Sequence, residues 1–134
     1  MKKWLSLMAL ILLAVALAAC GGPPQISVPE ASLALGDVVN GEIITREVMV
    51  QNVGESDLII EAVTTSCGCT EAAVAPTRIP SNGSGTLTIR FDSGAHGPDL
   101  TGQLIRQVFV VTNDPEQPEI VVEFEANILS PSEP

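Results

Sequence analysis

Cys67 and Cys69, one glycine apart in Ser66-Cys67-Gly68-Cys69-Thr70, are the side chains of this sequence best equipped for chemistry. Three outcomes are open to them. A local disulfide would pin the loop, a dithiol would exchange with external thiols, and two thiolates facing one way would take a soft ion, copper or zinc. Geometry separates these outcomes. In an extended strand, residues two apart have Cα atoms roughly 6.5 to 7 Å apart, at or beyond the usual limit of about 6.8 Å for a bridge. A turn at Gly68, which enters positive φ without steric cost, would shorten the span and close a small ring, easier to reduce than an ordinary structural bridge. A closed zinc site needs four ligands, and only His96 and Met49 could join the two sulfurs. His96 lies in Ser93-Gly94-Ala95-His96-Gly97, which reads as an exposed loop. No lysine or histidine is near the pair in sequence to lower a thiol pKa.

Other catalytic constellations are weak, so no enzymatic activity and no resident cofactor are expected. A Ser/His/Asp triad would rest on His96 alone, with no Gly-x-Ser-x-Gly elbow to mark a nucleophile. The carboxylates show no spacing that selects a glycosidase-like pair. Asn82-Gly83-Ser84-Gly85 reads as a hairpin turn rather than a phosphate-cradling loop.

The start of the chain says where these cysteines reside. Met1-Lys2-Lys3 is basic, Trp4 to Ala16 is almost wholly apolar, and Leu17-Ala18-Ala19-Cys20 closes the run with small residues before a cysteine. This is a signal peptide, too short and too promptly followed by Gly21-Gly22-Pro23-Pro24 to read as a spanning helix of roughly 20 residues. Its last four residues resemble the lipobox of bacterial lipoproteins. By that resemblance residues 1–19 are removed and Cys20 becomes a lipidated first residue. One acyl chain holds a protein only marginally, so stable anchoring implies multiple acylation, palmitate-type chains included. The mature chain is then an extracytoplasmic lipoprotein of the periplasmic or cell-surface side, its membrane contact made through lipid on Cys20. Export places Cys67 and Cys69 in an oxidising compartment.

Both lysines lie in residues 1–19, so cleavage lowers the formal net charge from −10 to −12. Four dispersed arginines remain, Arg46, Arg78, Arg90 and Arg106. They form no basic patch to neutralise phosphates, which argues against nucleic acid as a partner. The acidic balance reads as a solvated surface that keeps the domain soluble.

Residues 20–29, with two glycines and three prolines, read as a tether, and 129–134 as a flexible tail. Between them the period is two. Leu87, Ile89 and Phe91 alternate with Thr86, Thr88 and Arg90, and Ile120, Val122, Phe124, Ala126 and Ile128 form a second alternating set. Ile43 to Asn52 and Leu58 to Thr64 are rich in β-branched residues, and Val53-Gly54-Glu55-Ser56-Asp57 between them predicts a hairpin. Leu104 to Thr112, mostly apolar on both faces, suits a central strand. Turns at Pro80-Ser81-Asn82-Gly83, His96-Gly97-Pro98 and Asn113-Asp114-Pro115 punctuate these runs. The pattern predicts an all-β domain over residues 30–128, an immunoglobulin-like β-sandwich of about seven strands, with a small closed barrel as the alternative. Beyond Trp4 the chain has neither tryptophan nor tyrosine, so the core features of antibody domains are absent.

An ordered set of short pieces then resembles a known bacterial family, the exported immunoglobulin-like domain-of-unknown-function family 1573. The pieces are Leu35-Gly36-Asp37-Val38 with Gly41-Glu42, Gln51-Asn52-Val53-Gly54, Leu58-Ile59-Ile60, the Ser66-Cys67-Gly68-Cys69-Thr70 hallmark, Ile89-Arg90-Phe91-Asp92 and Thr112-Asn113-Asp114-Pro115. Together they span roughly Ile26 to Ile128. The resemblance implies a sandwich related to domains of cilia and centrosome proteins, an interaction module with a protein partner and no established catalysis. The chain departs from the family pattern at Ile79-Pro80-Ser81-Asn82-Gly83, where members often carry an apolar-Pro-Gly turn.

Overall fold

The structure is a computed structural model that describes residues 21–131. Residues 1–20, where the sequence predicts a signal peptide and the lipidated Cys20, lie outside the described residues. Nine strands follow in chain order: β1 (Ile26–Ser27), β2 (Ser32–Val39), β3 (Ile43–Asn52), β4 (Leu58–Thr65), β5 (Thr70–Ala75), β6 (Arg78–Ile79), β7 (Ser84–Asp92), β8 (Gly102–Thr112) and β9 (Glu119–Leu129). Seven of them run 6 to 11 residues, and β1 and β6 are two-residue additions at sheet edges. One sheet has the order β1-β3-β7-β5 and the other β2-β9-β8-β4-β6. No strand of one sheet pairs with the other among the described residues, so the domain is a sandwich rather than the alternative barrel.

Alternation assigns the core as the sequence predicts. Leu87, Ile89 and Phe91 of β7 point inward from one sheet, and Val122, Phe124, Ala126 and Ile128 of β9 from the other, all buried. Phe91 and Phe124 meet across the interior with ring centroids 5.3 Å apart and planes tilted by 59°. Offset or tilted aromatic contact adds about 0.5–1.5 kcal/mol beyond the area it buries. Strand β8 is central, paired with β9 on one side and β4 on the other. Strand β2 runs parallel to β9, and its register shifts between Ala34 and Asp37. Gly36, at φ 73°, supplies the backbone conformation at this register shift.

Two sequence expectations are corrected. Ile43–Asn52 and Leu58–Thr65 do not form a hairpin: β3 pairs with β7 and β1, whereas β4 pairs with β8 and β6 in the opposite sheet. Asn52 is the physical reason. Its buried side chain donates from Nδ2 to the carbonyls of Ser56 (2.7 Å) and Ile79 (2.9 Å), and its Oδ1 accepts from the N–H of Gly54 at 3.0 Å, turning the chain across the sandwich.

The second correction concerns the tether at 20–29. From Gly22 to Val28 the chain is docked rather than free. Pro23 and Gln25 accept backbone hydrogen bonds from Glu55 (3.1 Å) and Val53 (2.9 Å), Ile26 and Ser27 pair with Asn52 and Gln51, and Pro24, Ile26 and Val28 are buried. Proline removes a donor but keeps its carbonyl, so a proline-rich segment can still be held through its acceptors. At the other terminus β9 continues through Leu129, one residue into the expected tail.

Candidate functional site

Strand β4 ends at Thr65, and Ser66 keeps contact with β8 through its backbone N–H to Gln107 O (2.9 Å) and its Oγ to Gln107 N–H (3.0 Å). The chain then reverses over Cys67-Gly68-Cys69-Thr70, where the Thr70 N–H donates to Cys67 O at 3.3 Å. The Thr65 hydroxyl lies 3.0 Å from Cys67 O and 3.1 Å from Thr70 O, so one proton serves both sides of the turn. This turn brings the Cα atoms of Cys67 and Cys69 to 5.3 Å, inside the range of a disulfide, and their sulfurs are joined. Gly68 meets no atom within 4 Å of where a Cβ would stand, so its surroundings impose no steric demand for glycine.

The two cysteines differ in environment. Cys69 is buried within the core, in contact through Sγ with the Thr70 hydroxyl at 3.6 Å, whereas Cys67 is half-buried. The Cys69 N–H donates to Cys67 Sγ at 3.0 Å. Nε2 of His96 lies 3.8 Å from the same sulfur, and the ligand atoms of Cys67, Cys69 and His96 all fall within 4.8 Å of one another. His96 itself is exposed on its turn, as the sequence predicts.

Sheet pairing explains how residues 29 positions apart meet. Strands β5 and β7 are antiparallel with Thr70 opposite Phe91, so the chain entering β5 and the chain leaving β7 share one end of the sandwich. The Asp92 N–H donates to Cys69 O at 2.9 Å. Ser93 then anchors the following turn, its Oγ lying 3.0 Å from Val39 O and 2.8 Å from Glu42 O. Asn40 holds the far side of that loop through Gly97 O and Leu100 O, both at 2.9 Å. The sequence carried one signal for this meeting: turn-forming residues flank the two strands on the sides that antiparallel pairing makes adjacent.

Met49 does not join the cluster. It stands exposed on β3 opposite Thr86, toward the other end of the strand, with its sulfur 3.3 Å from Gln51 Nε2. Among the described residues the two cysteines, once reduced, and His96 would offer three ligand atoms, one short of a closed zinc site.

The opposite end of the sandwich carries the polar groups that fasten the docked N-terminal segment. Asp114, 2% exposed, accepts from the N–H groups of Ile26 (2.9 Å), Glu116 (2.8 Å) and Gln117 (3.1 Å). Burial opposes its charge, but the three backbone donors outweigh burial and hold its carboxyl below the usual carboxylate range. Asn113 joins β4 to the same turn, accepting from Ile59 N–H at 2.8 Å and donating to Asp57 O at 3.1 Å. Of the ordered sequence pieces, then, Gln51-Asn52-Val53-Gly54 and Thr112-Asn113-Asp114-Pro115 are fastenings, and only the Cys-Gly-Cys turn carries reactive atoms.

No curated protein matches this sequence. Among solved structures, a protein of unknown function from Porphyromonas gingivalis W83 is similar at a TM-score of 0.64 and 24% identity, over 79% of this chain and 46% of that one. The chain therefore spans less than half of that protein's length. PapD-like domain 7 of human CEP192 is similar at a TM-score of 0.62 and 11% identity, over 82% and 89% of the two chains. The YadV chaperone gives 0.53 and 12%, over 80% and 52%. Such identities carry the fold alone, a β-sandwich of the PapD-like and immunoglobulin-like kind. The family described as "Protein of unknown function (DUF1573)" matches residues 26–128, from the docked first strand through the Cys-Gly-Cys turn to the last strand, and this chain belongs to that family.

Proposed function

We propose that this chain is a lipid-anchored extracytoplasmic binding or structural module of the bacterial envelope, held at a membrane by acylated Cys20. The observation that carries the reading is the apolar N-terminal run closed by Leu17-Ala18-Ala19-Cys20, and the docking of Gly22 to Val28 on the sandwich, two residues further on, bears on how close the domain would sit to the membrane. A lipid at that position is tied to a folded body by Gly21 alone, so the domain rides close against the bilayer instead of hanging on a tether. Ser56 Oγ donating to Gly22 O at 2.6 Å brings the fastening to the edge of the anchor.

Given an anchor at Cys20, the same docking would also orient the domain. Ile26 pairs with Asn52 at one end of β3, and Thr70, next to the cysteine pair, pairs through Phe91 with Ile44 near the other. The eight-residue step from Ile44 to Asn52 corresponds to about 27 Å of strand. On this reading the Cys67, Cys69 and His96 end would face away from the lipid, open to a protein partner. The formal charge of −12 expected for the cleaved chain argues against a nucleic-acid partner.

Metabolic labelling with an alkyne-bearing fatty acid tests the anchor. Wild-type chain expressed in a bacterial host takes up the label and Cys20→Ala does not. Equal labelling of the two proteins contradicts the reading.

A further inference from the structure

The paired sulfurs at the turn between β4 and β5 are unequal in access, and the inequality assigns them different roles. Cys69 is 3% exposed and belongs to the core, whereas Cys67 is half-buried at the turn. In thiol–disulfide exchange the rate depends on which sulfur can be reached and on how much of the attacking thiol is thiolate. In the joined pair Cys67 Sγ has the Cys69 N–H at 3.0 Å and His96 Nε2 at 3.8 Å beside it, so on reduction the same neighbours offer this sulfur a backbone donor and a nearby proton acceptor. Cys69 Sγ has the Thr70 hydroxyl at 3.6 Å and otherwise sits within the apolar core, with His96 within 4.8 Å but nearer to hydrogen-bonding range of Cys67, which suits a sulfur reached from within the protein.

We propose that Cys67 and Cys69 form a thiol–disulfide exchange couple, in which Cys67 exchanges with an external disulfide or thiol, Cys69 resolves the adduct and His96 receives the Cys67 proton. Starting from the reduced pair, His96 Nε2 takes the proton of Cys67 and the thiolate attacks one sulfur of a substrate disulfide. A Cys67–substrate bond forms, the substrate S–S bond breaks, and the departing thiolate takes the proton back from His96. Cys69 then gives its proton to solvent and attacks Cys67. The Cys67–Cys69 bond forms, the mixed disulfide breaks, and the second substrate sulfur leaves and is protonated. Two electrons pass from the protein dithiol to the substrate, leaving an oxidised pair and two substrate thiols. The reverse sequence oxidises a substrate dithiol.

The full chain, reduced with dithiothreitol and desalted, is mixed with oxidised glutathione in one arm and with a peptide holding one intramolecular disulfide in the other. Adducts are followed by intact mass and located by peptide mapping, which separates Cys67 from Cys20. Cys69→Ser is expected to trap a mixed disulfide at Cys67, Cys67→Ser to react at Cys69 at least tenfold more slowly, and His96→Gln added to Cys69→Ser to slow trapping by about tenfold. Cys69→Ala replaces the serine variant if a buried hydroxyl prevents folding, and thermal unfolding of each variant checks the fold. Trapping in either arm supports the couple, and the faster arm tells whether small-molecule or peptide disulfides are the substrate. Equal rates at the two sulfurs, no adduct in either arm, an unchanged rate in the His96 variant, or a reduced wild type that takes up one Cu(I) without forming adducts overturns it.

Discussion

The backbone N–H of Ile26 donates to Oδ2 of Asp114 at 2.9 Å, across 88 positions of sequence. This contact fastens the first strand to the turn that leads into the last, and both partners are buried. It ties the end of the chain that carries Cys20 to the body of the sandwich.

Acid should loosen that fastening. The carboxyl of Asp114 is held below its usual range in the folded protein, so its contribution to stability is complete above about pH 5 and is lost as pH falls through about 4 and below. Asp114→Asn keeps an acceptor but loses the charge, and is expected to cost about 1–2 kcal/mol at pH 7. Urea denaturation of both proteins at pH 7, 5 and 3 checks this. The gap between them should narrow on acidification, and a gap independent of pH would show that the charge of Asp114 contributes nothing.

Asn52 is expected to be among the most sensitive polar positions. Its side chain meets two carbonyls and the Gly54 N–H, with the Gln25 N–H at 3.3 Å, so Asn52→Ala leaves several groups at a buried site without partners. Unsatisfied buried groups cost about 1–3 kcal/mol each, and partial hydration of the crossover brings the expected total to about 2–4 kcal/mol. Chemical denaturation of Asn52→Ala measures it, and a loss under 1 kcal/mol would remove Asn52 as the cause of the crossover.

Gly54→Ala should undock the N-terminal segment selectively. A Cβ at Gly54 would overlap the backbone nitrogen of Gln25 and the carbonyl oxygen of Pro23, both rigid main-chain atoms. Hydrogen exchange followed by mass spectrometry is expected to show lost protection at Ile26 and Val53 with β7, β8 and β9 unchanged. Uniform loss over all strands would mean that the segment and the sandwich unfold as one unit.

The sequence made strands such as β7 and β9 legible, because a buried face of a strand forces alternation. Pairing was less legible. A five-residue link suits a hairpin and a crossover equally well, and what selects the crossover is the hydrogen bonding of Asn52 to residues that the sequence does not mark as neighbours. The docked segment was not legible because its prolines signal extended chain, while the carbonyls of Pro23 and Gln25 that accept from Glu55 and Val53 have no signature in the sequence. In the candidate site, Cys67 and Cys69 were legible as a pair. His96 was legible only as a loop residue, because its approach to Cys67 depends on the pairing of β5 with β7. Met49 fails as a ligand for the same reason, since its position along β3 sets it far from the turn.

An acylated Cys20 as the first residue, with the docked segment beginning only two residues later, is the central proposal for this chain. Intact-mass and N-terminal mapping of the protein extracted from bacterial membranes tests it most directly. The predicted result is a chain that starts at Cys20 and carries two or more acyl chains. A chain that starts elsewhere, or one whose Cys20 is unmodified, would contradict it.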